Sequence, residues 1–141
     1  MAIPRLVAVR AAIATAFAAL ASARPANAHD LEPQRQLVHA WADAFNARKF
    51  ERLRAILAPN YINHNRNVPS GAEATIAFLK GVAASLPNAR LTVEDVITEG
   101  YKVASRMTLS SKSDSGVSKG TIIDMWRVED GKLAEHWDSA S

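Results

Sequence analysis

Between Leu31 and Arg48 the apolar residues Leu37, Val38, Trp41, Ala44 and Phe45 recur every three or four positions, with Asp43, Asn46 and Arg48 between them. That spacing predicts an amphipathic first helix. A second, short helix is predicted over Phe50 to Leu57, ending at Ala58-Pro59 because a residue before proline avoids the helical region. PNYINHNRNVPSG (residues 59–71) is rich in Asn, Pro and Gly and reads as an irregular loop. A third helix is predicted after Ser70-Gly71, with Ala74, Ile76, Ala77, Phe78, Leu79 and Val82 on its apolar face, and it ends before Pro87. The period then changes. Leu91, Val93, Val96-Ile97, Val103, Met107 and Leu109 suggest strands broken at Glu99-Gly100 and at residues 111–116, and Thr121 to Val128 and Lys132 to Asp138 are the last two. Three helices followed by about four strands is an α+β order, with the helices packed on one side of a curved antiparallel sheet.

Residues 1–28 stand apart from this pattern. Arg5 and Arg10 flank and precede an apolar run from Ala11 to Ala23, and Ala26-Asn27-Ala28 is a small-residue cleavage site, with Ala21-Ser22-Ala23 a second option. The segment is read as a secretory signal peptide, since the run is shorter than the ~20 residues of a membrane-spanning helix. A mature chain beginning at His29, exported to the periplasm or secreted, is the expectation. The net charge of +3 changes with it: Arg5, Arg10 and Arg24 leave with the leader, so 17 basic residues fall to 14 and match the 14 acids. A neutral domain without a basic run offers no electrostatic attraction to nucleic acid or to an anionic membrane. No cysteine is present, so an exported domain of this kind is held by its core alone. About 113 residues suffice for one such core.

Two stretches carry a family likeness. Tyr61-Ile62-Asn63-His64-Asn65 followed by Val68-Pro69-Ser70-Gly71, together with IDMWRVEDGKLAEHWD at residues 123–138, resembles the SnoaL-like polyketide cyclases of the nuclear transport factor 2-like superfamily. The resemblance spans residues 29–141 and implies a cone in which helices close over a curved sheet around an apolar hollow. It implies a homodimer, no cofactor and no metal, and an acid at the position of Asp138 that moves a proton on a polyketide carbon acid, with the position of Asp124 also lining the site. One fold hosts many chemistries, and relatives of this superfamily include isomerases, dehydratases, epoxide hydrolases and modules that bind without turnover. The likeness departs at Gly100-Tyr101, where relatives commonly have Gly-Asp.

Whether the acids meet depends on one turn. His136 and Asp138 share a face because side chains alternate along a strand. A two-residue loop at Asp130-Gly131 would pair Glu129 with Lys132 and turn Asp124 to the opposite face. A three-residue loop at Glu129-Asp130-Gly131 would pair Val128 with Lys132 and set Asp124 opposite His136. Apolar patterning leaves both open; the turn chemistry and the family likeness favour the three-residue form, which would also put Met125, Arg127, Leu133 and Trp137 on the outer face as a dimer surface.

Asp138, His136 and Asp124 are therefore the candidate catalytic cluster. Two carboxylates in a partly apolar hollow cannot both ionise cheaply, so one pKa is expected to rise, with the imidazole beside them charged or strongly hydrogen bonded. Such a set suits enolisation, aldol-type cyclisation or isomerisation of a small apolar carbonyl compound. His64 is a candidate to close over the mouth, with Asn65, Tyr61, Trp41 and Trp126 as further substrate contacts. Each has a plainer reading: His136 and Asp124 as a buried hydrogen-bonded pair, Asp138 as a solvated terminal acid, His64 and Asn65 as loop braces, and the aromatics as core. The alternative function is a non-catalytic module that holds a small ligand in the same hollow.

Overall fold

The computed structural model describes residues 31–140, so the leader expected over residues 1–28 and its cleavage sites lie outside the described residues. Helix α1 spans Glu32–Asn46 and buries Val38, Trp41, Ala42, Ala44 and Phe45, the face its spacing predicts. It ends at Arg48, whose φ of 58° is the left-handed conformation in which helices commonly stop. The Arg48 guanidinium donates to the Phe45, Pro87 and Ala89 carbonyls, and the Asn46 side chain bonds both the N–H and the C=O of Leu91. These bonds tie the end of α1 to the start of the sheet.

The second predicted helix is shorter than expected. A 3₁₀ turn at Phe50–Arg52 leads into one turn of helix, α2, at Leu53–Ile56, and Leu57 already has extended backbone. The loop reading of the next stretch is corrected: Leu57–Asn63 is a strand, β1. Pro59 and Asn60 hid it, and both are exposed where the ladder of β1 is irregular, the place a sheet tolerates a missing N–H. Helix α3, Ala72–Ser85, follows and buries Thr75, Ile76 and Ala83, while Ala77 and Phe78 of its predicted apolar face are exposed.

Four more strands complete the sheet: β2 at Arg90–Glu99, β3 at Lys102–Ser113, β4 at Gly116–Glu129 and β5 at Lys132–Ala140. The order across the sheet is β1-β5-β4-β3-β2. β1 runs parallel to β5, with Asn63 beside His136, so the sheet has five strands and is mixed where a four-stranded antiparallel sheet was expected. The chain is α+β, three helices on a curved five-stranded sheet. Val38, Trp41, Phe45, Leu53, Tyr61, Val103, Met107, Trp126 and Leu133 pack as one core between helices and sheet.

The turn expectation is also corrected. Glu129 pairs with Lys132 around a two-residue loop, with Asp130 at φ 49° and Gly131 at φ 72°. Positive φ at both central residues defines the type I′ turn, whose twist matches that of the flanking strands and which favours Asp-Gly. Alone, this register would have turned Asp124 outward. It does not, because β5 carries a bulge: Val128 pairs with Leu133 but Arg127 pairs with Glu135, which leaves Ala134 as an extra residue. The inserted residue restores parity, and from Glu135 onward the inner face is the one expected. Asp124 lies opposite Asp138, and Trp126, not Asp124, lies opposite His136. Leu133, assigned to the outer face from the sequence, is fully buried in the core for the same reason.

Candidate functional site

The inner face of β4 carries Asp124 and Trp126, and that of β5 carries His136 and Asp138. Asp124 and His136 are diagonal neighbours, and His136 Nε2 lies 2.9 Å from Asp124 Oδ1 with both residues only 4% exposed. Three aromatic rings surround the imidazole. Trp126 stacks at 5.1 Å and 18°, Tyr61 at 6.4 Å and 20°, and Trp41 leans over it at 6.0 Å.

Burial is the main reason the Asp124 carboxyl titrates above the ordinary range. The hydrogen bond and charge of His136 oppose the shift, and the negative charge of Asp138 adds to it. Burial likewise pushes the Tyr61 phenol up. Tyr61 Oη, Trp126 Nε1, His136 Nδ1 and Ser105 Oγ, the last on the residue that pairs with Asp124 across β3 and β4, have no hydrogen-bond partner among the described residues. A finished core rarely leaves so many polar atoms unsatisfied; such groups gather where a fold serves a function.

Asp124 and His136 border a cavity of about 540 Å³, with the open solvent at its mouth included. Trp41, Phe45, Leu79, Val82, Leu91, Met107, Leu109 and Ile122 make an apolar wall, and Asn63, Thr75, Asp124, His136 and Asp138 a polar one, with Phe78 exposed at the rim. Among the described residues no Lys or Arg lines it. Asp138 is exposed and would swing free, since the pairing of β1 with β5 stops at Asn63 and His136. Asn65 takes over where the strand ends, and its Nδ2 donates to Asp138 Oδ2 at 2.7 Å. A chain of side-chain-to-backbone turns holds Asn65: its N–H donates to Asn63 Oδ1 at 2.9 Å, and its Oδ1 accepts from the Asn67 N–H at 2.8 Å.

Of the residues singled out from the sequence, the structure thus gathers Asp124, His136, Asp138 and Trp41 at the cavity and brings Asn65 to it through Asp138. Tyr61 and Trp126 lie behind His136, in the core and outside the cavity wall. His64 is displaced from the mouth to the other side of the sheet. It stacks on Trp137 at 4.8 Å and 5°, and its Nε2 meets Glu135 at 2.8 Å. Glu135 also accepts from Arg127 at 2.9 Å, and that bond, with the one from His64, draws its carboxyl below the usual range. Strand alternation decides the matter, since Asn63 faces inward and its neighbour must face out. Among the polar cavity residues, sequence reasoning passed over Thr75 and took Asn63 for a loop residue braced by turn hydrogen bonds. Reading β1 as a loop concealed the inward alternation of Tyr61 and Asn63 that would have pointed to Asn63. The donor atoms of Asp124, His136 and Asp138 lie within 4.8 Å of one another, close enough to share a cation as well as a proton.

Comparison with known proteins agrees with this architecture. TsrD from Streptomyces laurentii is 29% identical, with 78% of this chain and 89% of that chain covered and a TM-score of 0.71. A loop-truncation variant of IdmH is 26% identical, covering 77% and 92%, with a TM-score of 0.68. A SnoaL-like polyketide cyclase from Agrobacterium tumefaciens shares the fold at 17% identity, covering 76% and 90%, with a TM-score of 0.67. No curated protein matches the chain. The SnoaL-like domain family matches residues 38–136, from the first buried turn of α1 to the histidine of β5, and the chain belongs to that family, in the nuclear transport factor 2-like fold.

Proposed function

We propose that this protein is a cofactor-independent acid/base catalyst acting on a small apolar carbonyl compound, by enolisation, aldol-type cyclisation or isomerisation. The observation that carries the reading is the division of one cavity into an apolar wall and a wall bearing Asp124, His136 and Asp138. Asp138 is the base. Among the described residues Asn65 is its one hydrogen-bond partner, through Oδ2, so the other oxygen remains available to a substrate C–H. His136 and Asp124 are hydrogen bonded beneath it and set the charge of the floor, and burial raises the proton affinity of Asp124 toward that of a working acid/base group. General acid/base help of this kind is worth ~10²- to 10⁴-fold in rate.

The reading extends to the whole chain. A leader cleaved after Ala28 would deliver a mature domain to the periplasm or the medium. A cone-like closure of α1 and α3 over the sheet fits the covered cavity, and Ile62, Ile123, Met125 and Trp137 give the outer face of β1, β5 and β4 an apolar patch suited to a homodimer. The decisive experiment compares wild type with Asp138→Asn against a panel of ketones and β-diketones, following α-proton exchange into D₂O by NMR with and without a chelator. Exchange that wild type catalyses, Asp138→Asn does not and the chelator leaves intact supports the proposal. Ligands that raise the melting temperature of both proteins without any exchange would assign the chain to non-catalytic binding instead.

A further inference from the structure

We infer that Asn63 and Thr75 are the groups that take the substrate's carbonyl oxygen and hold it as it becomes an enolate oxygen. The assignment rests on the acid/base reading above and specifies how the substrate lies in the cavity. Asn63 is 9% exposed and Thr75 2% exposed, yet both line the cavity. Asn63 stands beside His136 on the adjacent strand, and Thr75 projects from the first turns of α3, so the pair closes the polar wall on the β1 side, across from Asp124 on β4.

Every part of Asn63 except one donor is already committed. Its N–H donates to Ser70 Oγ at 3.1 Å, and its C=O accepts from the same hydroxyl at 3.2 Å. Its Oδ1 accepts from the Asn65 N–H, an acceptor role that only the oxygen can fill, so the side-chain amide has one orientation, with Nδ2 toward Thr75. One Nδ2 proton goes to Thr75 Oγ1 at 3.3 Å. The second Nδ2 proton and the Thr75 hydroxyl proton have no acceptor among the described residues. Two buried donors, fixed in place and without acceptors, beside a site that lacks Lys and Arg are what a developing oxyanion requires, because their dipoles need no reorganisation when the charge appears.

The step balances as follows. Asp138 takes the proton from the carbon next to the carbonyl. The C–H electron pair becomes the new C=C bond, and the carbonyl π pair moves onto oxygen. That oxygen carries the negative charge and accepts hydrogen bonds from Asn63 Nδ2 and Thr75 Oγ1. Return of the proton to the same carbon gives exchange and return to another carbon gives isomerisation; attack of the enolate carbon on a second carbonyl within the substrate closes a ring, the π pair of that carbonyl moving onto its oxygen, which takes the proton from Asp138. The geometry thus selects an electrically neutral ketone, whose oxygen enters the β1 side and whose apolar body lies along Val82, Leu91, Met107 and Leu109.

Two conservative variants test this. Thr75→Val removes the hydroxyl at constant shape, and Asn63→Asp keeps the acceptor for Asn65 while removing the amide donor. The probe is acetophenone labelled with ¹³C at the carbonyl, its binding measured by calorimetry and its C=O stretch by infrared difference spectroscopy. In wild type the bound stretch falls below its value in cyclohexane. In each variant it returns upward and the affinity drops about 3- to 10-fold, the loss of one hydrogen bond. Acetophenone that binds with a stretch neither variant alters would overturn the assignment and leave the acid/base reading standing. Acetophenone that fails to bind wild type up to its solubility limit would remove the carbonyl pocket and this assignment with it.

Discussion

Replacing His136 with leucine removes the one hydrogen-bond partner that the buried Asp124 carboxylate has among the described residues, and the cost can be worked from the site. Asp124 is 4% exposed and bonded at 2.9 Å to His136. Burial raises its pKa from an ordinary 3.8, and His136 is the group that restrains the rise. Without the imidazole the carboxyl must either stay charged and unpaired where it is buried or take up a proton, and it will take the cheaper course. Protonating a group of pKa 3.8 at pH 7 costs about 4 kcal/mol, at 1.36 kcal/mol per unit, which sits inside the range of about 3–5 kcal/mol for breaking a buried ion pair. The sign follows from proton counting. A carboxyl whose folded-state pKa lies above its unfolded value binds more protons folded than unfolded, so stability is greatest below 3.8 and is lost as pH rises toward the folded-state value. In His136→Leu the group that restrains the rise is gone, so the deficit relative to wild type should shrink as pH falls from 7 to 5, by at most about 1.4 kcal/mol for each unit. Adding Asp124→Val removes the stranded acid and should recover most of the loss at pH 7. Urea unfolding followed by tryptophan fluorescence measures all three proteins, since Trp41 and Trp126 flank the pair. A deficit that is flat between pH 5 and pH 7.5, or a double variant no more stable than His136→Leu, would refute the reasoning.

The remaining expectations are simpler. Gly131→Ala places a Cβ at φ 72° and should cost about 1–2 kcal/mol in urea unfolding, whereas Asp130→Asn, equally suited to a type I′ turn, should change stability by less than about 0.5 kcal/mol. Val82→Trp fills the cavity from α3, and thermal shift should show it unresponsive to a ketone that, at 100 times its Kd, stabilises wild type by about 2.7 kcal/mol. Ile123→Lys charges the outer patch proposed as the dimer surface, and sedimentation velocity should find wild type dimeric and the variant monomeric at one concentration. Asn65→Ala should lose no more than about 1 kcal/mol of stability while slowing proton exchange in the direction of Asp138→Asn, since it frees the Asp138 carboxylate to rotate.

What the amino-acid pattern revealed and what it concealed divide along one line: whether a feature is local. The helical face of α1 and the alternation of His136 and Asp138 depend on residues a few positions apart, and both are as their spacing predicts. β1 is not local. Its seven residues hold Pro59 and two Asn, poor strand formers, and they are extended because their partner, β5, lies more than seventy positions further along the chain. Missing that strand misplaced His64 and hid Asn63. The turn at Asp130-Gly131 presents the opposite case. Glu129-Asp130-Gly131 suits a three-residue loop and Asp130-Gly131 suits the two-residue I′ loop that is present, so local chemistry points to the longer form without excluding the shorter, and the face of Asp124 is decided four residues away, where Ala134 adds a position opposite the junction of Arg127 and Val128. No residue type announces a bulge; alanine fits a ladder as readily as it fits a bulge. Two departures from the expected hairpin, a shorter loop and an extra residue, each invert the parity of β5, and together they cancel. The clustering of Asp124 with His136 was therefore foreseeable from the need of two buried polar groups for each other, although the route by which the backbone brings them together was not. The same logic locates the site's sensitivity: a change that keeps the I′ turn and the bulge but adds a third inversion, by inserting a residue between Gly131 and Ala134, would carry His136 and Asp138 to the outer face. There they would lie among Trp137's neighbours, and the cavity would lose its base.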